Sequence, residues 1–387
     1  MTVLFVAGDA DYSGATLSML TLIELLKADG VKSMVVLPYA GRIEGLLAEK
    51  QIEYFVINSN RWIRPIGEKG SVWTYLKRFK LRLQNISAVK RIRKIIKRKK
   101  VDLIHVNTLA PYVGAVAARI TKTPYIWHIR EFGEEDHGQT IWNKKSGYKL
   151  ISGAARVITI SESLYEKFKR QLPNARVQMI YNGIDVEKYF LRREQLLCKN
   201  IVTITISGRI SEGKGQLELI QAANELKDHY ECFRIQIVGS NGKKAYVDSL
   251  KEYIEQNGLD PWVKILGFRK EMRKVWEATD ICVVCSRAEA FGRVTVESML
   301  AGCLVIGANT AGTAEIIKDG QTGFLYQQGC PNDLYKTIDY ALKNKEKVRA
   351  IAVAGQRDVG ERFTAKLNEQ QIYKLYIEIL EKKLDVN

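Results

Sequence analysis

Short β-branched runs alternate with stretches of helical periodicity from one end of this chain to the other, and the alternation restarts midway. That order constrains the fold more than any other feature. Parallel strands need a long crossover, a helix is the usual one, and the result is an α/β chain with parallel sheets. In the first half the strand-like runs are Val3–Ala7, Ser33–Leu37, Glu53–Ile57, Leu103–Val106, Tyr125–Ile129, Val157–Ile160 and Val177–Ile180. In the second they are Val202–Ser207, Ile235–Val238, Val263–Leu266, Ile281–Cys285, Leu304–Gly307 and Phe324–Tyr326.

At 387 residues the chain exceeds one ordinary core, so two domains are expected. The turn Asn182-Gly183-Ile184-Asp185 closes the first half, and the segment 186–200 is charged and weakly periodic. The expected division is therefore 1–190 and 191–365. The apolar stripe Ile372, Leu375, Tyr376, Ile379 and Leu380 predicts a closing helix over 366–387 that packs back on the first domain.

No run of 18 apolar residues predicts a spanning helix. The N-terminal V-L-F-V-A run is too short for a signal peptide, lacks a basic leader, and reads as a first buried strand. Cys282 and Cys285 have C-x-x-C spacing but lie within a predicted strand, where they point to opposite faces; they read as buried thiols in a reducing, cytosolic setting.

The formal net charge is +17, and it is uneven. Residues 1–190 hold 31 Lys/Arg against 17 Asp/Glu, whereas the rest is nearly balanced. Between Lys77 and Lys100 there are twelve basic residues and no acid. Ile86, Val89, Ile92, Ile95 and Ile96 recur there at helical spacing, giving a basic amphipathic helix with Lys90, Arg91, Arg93 and Lys94 on its polar side. Such a helix suits an anionic membrane surface. A solvated helix docked on the sheet stays open as the bland alternative. Nucleic acid is disfavoured, because no recognised nucleic-acid motif accompanies the charge. Upstream, Trp62, Arg64, Trp73 and Tyr75 surround Pro65 and Gly67 and read as a long loop, with Trp62 on the acceptor side.

Chemistry concentrates at strand ends. The run Cys285–Cys303 reads strand end, Glu289, Phe291-Gly292, and a helix start two turns before Glu297. A helix N-terminus suits a phosphate, and fixed carboxylates suit hydroxyls, so a nucleotide sugar fits this stretch. Gly208 to Gln216, G-R-I-S-E-G-K-G-Q, also follows a strand and opens a helix, which sets Arg209 and Lys214 to hold a diphosphate. The loop Gly8–Gly14 follows the first strand without a G-x-G-x-x-G pattern. His105 and His128 end strands, at the edge where such sheets bind ligands.

Taken in order, these segments resemble the retaining GT-B glycosyltransferases of family 4 over nearly the whole length. The residues that carry the resemblance are S-G-R-I-S-E-G-K-G at 207–215, Glu289-x7-Glu297 enclosing Phe291-Gly292, Asn182-Gly183-Ile184-Asp185, A-G-T-A-E-I-I at 311–317 and D-G-Q-T-G-F at 319–324. The resemblance implies two Rossmann-like domains whose parallel sheets face an interdomain cleft. It implies a transferase that moves a sugar from a UDP- or GDP-sugar to a lipid-linked or other saccharide acceptor in surface polysaccharide synthesis, with no cofactor and no metal ion. Arg209 and Lys214 would hold the diphosphate beside Gly208. Glu289 would contact sugar hydroxyls and Glu297 the ribose. Backbone groups of Phe291, Gly292, Arg293, Val294 and Thr295 would cradle sugar and phosphate. Gly14 matches the first-loop glycine, and His128 a polar position on the acceptor side. The sequence departs at Ser13-Gly14, where many members have two glycines, and at His105-Val106-Asn107, where many have a second histidine. The implied place is cytoplasmic, peripheral on the inner face of the plasma membrane. Another GT-B enzyme, such as a nucleotide-sugar epimerase or a transferase to a soluble acceptor, stays open, as does a non-catalytic binder driven by the basic helix.

Overall fold

The computed structural model describes residues 1–68, 71–193, 196–198 and 200–384. The chain divides into two compact units. The first contains Met1–Gly183 together with the chain from Ala365 onward; the second contains Ile184–Thr364.

The first unit is built on a seven-stranded parallel sheet of order β3-β2-β1-β5-β6-β8-β9. Its strands are β1 (Thr2–Val6), β2 (Lys32–Leu37), β3 (Glu53–Val56), β5 (Leu103–Asn107), β6 (Tyr125–Ile129), β8 (Arg156–Thr159) and β9 (Val177–Met179). A separate antiparallel ribbon pairs β4 (Ile63–Pro65) with β7 (Gln139–Ile141). Strands β1, β5 and β6 are buried almost throughout, because helices cover both faces, so their sequences run continuously apolar instead of alternating. The closing helix Ala365–Leu384 lies in this unit. Its Ile372, Leu375, Tyr376 and Ile379 share one core with Met19, Leu22 and Ile23 of the helix Gly14–Ala28.

The second unit carries a six-stranded parallel sheet of order β12-β11-β10-β13-β14-β15. The strands are β10 (Val202–Ser207), β11 (Phe233–Val238), β12 (Val263–Gly267), β13 (Ile281–Val284), β14 (Leu304–Ala308) and β15 (Phe324–Tyr326). Strand order reverses between β10 and β13, and in the first unit between β1 and β5. Open α/β sheets bind ligands at such a switch point, outside the carboxyl ends of the strands.

Every predicted strand is present, with ends displaced by at most two residues. Three expectations need correction. The division falls after Gly183, not after residue 190. Ile184 bridges Thr364, its N–H donates to the Phe363 carbonyl (2.9 Å), and the short helix Val186–Tyr189 packs on the helix Arg293–Leu300. The segment around Trp62 and Arg64 is not one long loop, since it contains β4. The basic helix is longer than expected, Val72–Arg98, and the apolar positions assigned to it do not share one environment. Val89, Ile92 and Ile96 are buried, whereas Ile86 is 48% exposed.

Candidate functional site

Four backbone approaches set the mouth of the second sheet. The loops leaving β10 and β11 run against each other, with Gly208 N–H donating to the Val238 carbonyl and Ile210 N–H to the Ser240 carbonyl (2.9 Å each). A Cβ on Gly239 would lie 1.7 Å from the Gly208 carbonyl oxygen, so only glycine permits that contact. Across the switch point, a Cβ on Gly215 would meet the Cys285 carbonyl oxygen at 2.4 Å. The Arg287 N–H donates to the Gly213 carbonyl (2.9 Å), which ties the loop after β13 to the turn Glu212–Lys214. A Cβ on Gly312 would strike the carbonyls of Phe291 and Glu289, and the Gly312 N–H donates to that Glu289 carbonyl (2.9 Å).

These approaches bring two predicted residues together. The Lys214 ammonium and the Glu289 carboxylate form an ion pair, and the Ser286 hydroxyl donates to the same carboxylate oxygen at 2.7 Å. Lys214 is anchored beyond β10 and Glu289 beyond β13, so the pair spans the switch point. The Lys214 methylenes pass beside Gly208. Arg209 is exposed, and its guanidinium has no ion-pair partner among the described residues.

The helix Arg293–Leu300 starts at Gly292, whose φ of +97° is the left-handed region, and Gly292 offers the first turn no side-chain cap. The helix ends in a Schellman arrangement: Gly302 N–H donates to Met299 and Cys303 N–H to Ser298. Val294 and Thr295 lie in its first turn, and the buried Thr295 Oγ1 finds no hydrogen-bond partner among the described residues. One turn on, Glu297 accepts from the Arg293 guanidinium at 2.7 Å, and both side chains are mostly buried. Tyr189 completes this group. Burial first, and then the adjacent Glu297 charge, push its hydroxyl well above the usual phenol range. The Phe291 ring is buried edge-on against Phe363 (5.5 Å between centroids), so this residue meets the site through its backbone.

Gly14 and His128 belong to the first unit. Gly14 opens its helix behind the Ser13 cap and is exposed. His128 is fully buried. Its Nδ1 is 3.0 Å from His105 Nε2 and 3.3 Å from the Arg130 guanidinium, and Arg130 Nε donates to Asn107 Oδ1 at 2.6 Å. Arg130 also reaches Asn182 of the closing turn. Asn107, standing where many family members have a second histidine, thus serves as an acceptor for Arg130. Next to it, burial raises the Glu131 carboxyl to about 7, against the pull of the Leu109 N–H that it accepts at 2.5 Å.

Of the surface residues expected to face a membrane, Lys90, Arg91 and Lys94 are exposed. Arg93 is half-buried, and its Nε is enclosed without a partner among the described residues. Trp62 stacks between Tyr112 (4.9 Å) and Trp127 (5.5 Å) and donates its indole N–H to the Leu109 carbonyl. Among the described residues no group of His, Cys, Asp and Glu is arranged to hold a metal ion. Sequence reasoning missed Tyr189, Ser286 and Arg130. Ser286 alone left a trace, three residues before Glu289.

Two family models tile the chain. The family described as Glycosyltransferase Family 4 matches residues 12–188, and that described as Glycosyl transferases group 1 matches 188–358. The chain belongs to the GT-B glycosyltransferases of group 1. An uncharacterized glycosyltransferase of Methanocaldococcus jannaschii is 27% identical to this glycosyltransferase over 307 residues, 73% of this chain and 77% of that one. The putative glycosyltransferase EpsD of Bacillus subtilis is 23% identical over 78% of this chain and 84% of its own length. Among solved structures, Anabaena HepE in complex with UDP and glucose superimposes with a TM-score of 0.79 at 26% identity, covering 97% of this chain and 99% of that one. The GT-B assignment and the α/β architecture expected from the motifs therefore hold.

Proposed function

We propose that this glycosyltransferase moves a sugar from a nucleotide sugar to a hydroxyl of a lipid-linked saccharide, with retention at the anomeric carbon and without a metal ion, as a step in surface polysaccharide synthesis. The observation that carries the reading is the Lys214–Glu289–Ser286 group at the switch point of the second sheet. A nucleoside diphosphate leaves as an anion. Arg209, Lys214 and the uncapped start of the helix Arg293–Leu300 concentrate positive potential for it. Glu289, oriented by Lys214 and Ser286, contacts the sugar hydroxyls. Glu297, held by Arg293 and Tyr189, faces the ribose.

With both glutamates engaged as hydroxyl grips, neither serves as a nucleophile of the double-displacement kind. The acceptor oxygen attacks the anomeric carbon on the face from which the diphosphate departs. As the carbon–oxygen bond to phosphate breaks, its electron pair goes to the phosphate oxygen, and that oxygen takes the proton of the attacking hydroxyl.

Relatives support the broader setting. One is described as a lipopolysaccharide 1,2-N-acetylglucosaminetransferase of Salmonella typhimurium, 28% identical over 51% of this chain, and HepE is also described in complex with UDP-glucose. Uridine diphosphate sugars are therefore the first donors to test. A thermal-shift screen of UDP- and GDP-sugars decides the matter, since a ligand at 100 times its Kd stabilises by about 2.7 kcal/mol. A donor that raises Tm, followed by an α-linked product from an α-linked donor, is the expected result. No shift with any nucleotide sugar would remove the reading. The basic first unit, with no helix among the described residues able to span a bilayer, suits a protein that works on the membrane surface.

A further inference from the structure

The basic helix Val72–Arg98 is inside out over its first half. A surface helix ordinarily turns its apolar stripe to the core and its charges to water. Here Val72, Leu76, Phe79, Leu83 and Ile86, spaced four and three residues apart, share one outward face and are 48% to 73% exposed. Trp73 beside them is 79% exposed. The opposite face carries Arg78, Leu81, Arg82 and Asn85, of which Asn85 is buried and Arg82 exposed. It does not meet a hydrophobic core. It walls an open pocket of about 630 Å3, lined on its other sides by Ile63 of β4, by Trp142 and Asn143, and by the helices Val113–Thr121 and Lys144–Ser152. Only beyond Asn85 does the pattern return to normal, with Ala88, Val89, Ile92 and Ile96 buried.

The cavity has a definite chemistry. Five cations line it, Arg61, Lys77, Arg78, Arg82 and Arg119, against one carboxylate, Glu68. Glu68 is spent on Arg78, which also lies over the Trp142 ring at 5.4 Å. Arg61, Lys77, Arg82 and Arg119 have no ion-pair partner among the described residues. Trp62, Trp73, Tyr112 and Trp142 supply ring faces and edges. The floor is rigid: Asn85 donates to Tyr112 Oη and to the Asn60 carbonyl (2.8 Å each) and accepts the Asn60 N–H. Guanidinium forks beside aromatic rings take an anion attached to an apolar or ring-shaped body.

We propose that this cavity seats the phosphate-bearing head of an amphiphilic lipid acceptor, while the outward stripe of the same helix rests in the acyl boundary of the bilayer that holds it. The charge of the cavity and the inverted polarity of the helix call for the same occupant. Residues 72–86 lay about 22 Å of apolar helix along the membrane plane, and the cations behind it face the headgroup level. The proposal rests on the lipid-linked acceptor reading above. It relocates the membrane contact from Lys90–Lys94 to the first half of the helix.

The test uses the whole chain with four probes: farnesyl pyrophosphate, inorganic pyrophosphate, phosphatidylglycerol-containing phosphatidylcholine vesicles, and UDP. Farnesyl pyrophosphate is expected to quench tryptophan fluorescence and to bind more tightly than inorganic pyrophosphate. Arg82→Ala with Arg119→Ala should weaken it by about tenfold or more, since two charge-assisted contacts go, while UDP binding and thermal stability stay unchanged. Leu76→Ser with Phe79→Ser should abolish flotation with the vesicles yet keep farnesyl pyrophosphate binding. Equal affinity for the two pyrophosphate probes, or farnesyl pyrophosphate binding untouched by the arginine pair, overturns the cavity assignment. Flotation untouched by the serine pair overturns the membrane face. If UDP fails to bind while farnesyl pyrophosphate binds as described, the donor reading falls and the cavity stands.

Discussion

His105 Nε2 lies 3.0 Å from His128 Nδ1, and their surroundings fix which ring donates. The Arg130 guanidinium has only donors and points at the same His128 Nδ1, so that nitrogen accepts. His105 Nε2 therefore carries the proton, its Nδ1 accepts from the Tyr376 hydroxyl at 2.6 Å, and His128 holds its own proton on Nε2. That Nε2–H is buried with no acceptor among the described residues, a rare state that suits a donor waiting for a ligand oxygen. A second proton on His128 Nδ1 would set donor against donor, facing both His105 Nε2–H and the Arg130 guanidinium.

Both histidines are accordingly held well below their ordinary value of 6.5, chiefly by burial and then by the Arg130 charge. Such groups bind fewer protons folded than unfolded, so stability is full above about 6.5 and is lost progressively as pH falls from there toward the folded values. Glu131 acts in the opposite sense: raised to about 7, it favours the folded state most at low pH and loses that contribution between about 4.5 and 7. Urea melts between pH 7 and 5 should show wild-type stability falling more steeply than that of His128→Asn. Parallel pH profiles for the two proteins would refute the buried neutral pair.

Lys214 and Glu289 are partly exposed, and an ion pair of that kind contributes little to folding, roughly 0–1 kcal/mol. On the proposed function, their placement across the switch point serves the ligand instead. Lys214→Ala should lower kcat by about 10²–10³, the usual cost of removing one stabiliser of developing anionic charge. Glu289→Ala should lower turnover by tenfold or more, with Tm near wild type in both. A large fall in Tm with normal kcat per folded molecule would make the pair structural.

The parallel sheets were legible because both faces of each strand are covered, which writes continuous β-branched runs such as Tyr125–Ile129 into the sequence. The ribbon β4–β7 was not, because three residues are too few for a period and Pro65 argues against a strand. Tyr189 was hidden in a stretch whose charge reads as a linker, though its ring is buried beside Glu297. Tyr376 is 271 residues from His105, a separation no local pattern bridges. The basic helix misled for a different reason. Its two apolar stripes lie on opposite faces, one buried after Asn85 and one exposed before it, and a single periodicity merged them.

Gly239 offers a stability test of the loop contact that builds the donor side. Alanine there would place a methyl 1.7 Å from the Gly208 carbonyl oxygen, and neither backbone can yield without moving Arg209. Overpacking of this kind costs about 1–3 kcal/mol. The expected result for Gly239→Ala is a Tm lower by several degrees and weaker UDP binding. Gly45→Ala, in the exposed face of the helix Ile43–Glu49 with nothing within 4 Å of its Cβ, should leave UDP binding unchanged and hold or raise Tm. Equal melting of the two variants would show that the loops are free to separate.

Glu297 is the less exposed of the two glutamates and is braced by Arg293 at 2.7 Å and by Tyr189. A carboxylate so fixed suits two vicinal hydroxyls, and a ribose has them. Glu297→Gln keeps the shape but loses charge and one acceptor. It should weaken UDP by roughly tenfold, the scale of one charged hydrogen bond at ~1.5 kcal/mol, and should weaken 2′-deoxy-UDP much less. Tyr189→Phe should give a smaller loss of the same kind, because it loosens the brace without removing the grip. Equal losses for UDP and 2′-deoxy-UDP in Glu297→Gln would mean that the carboxylate supports the helix Arg293–Leu300 and does not touch the sugar.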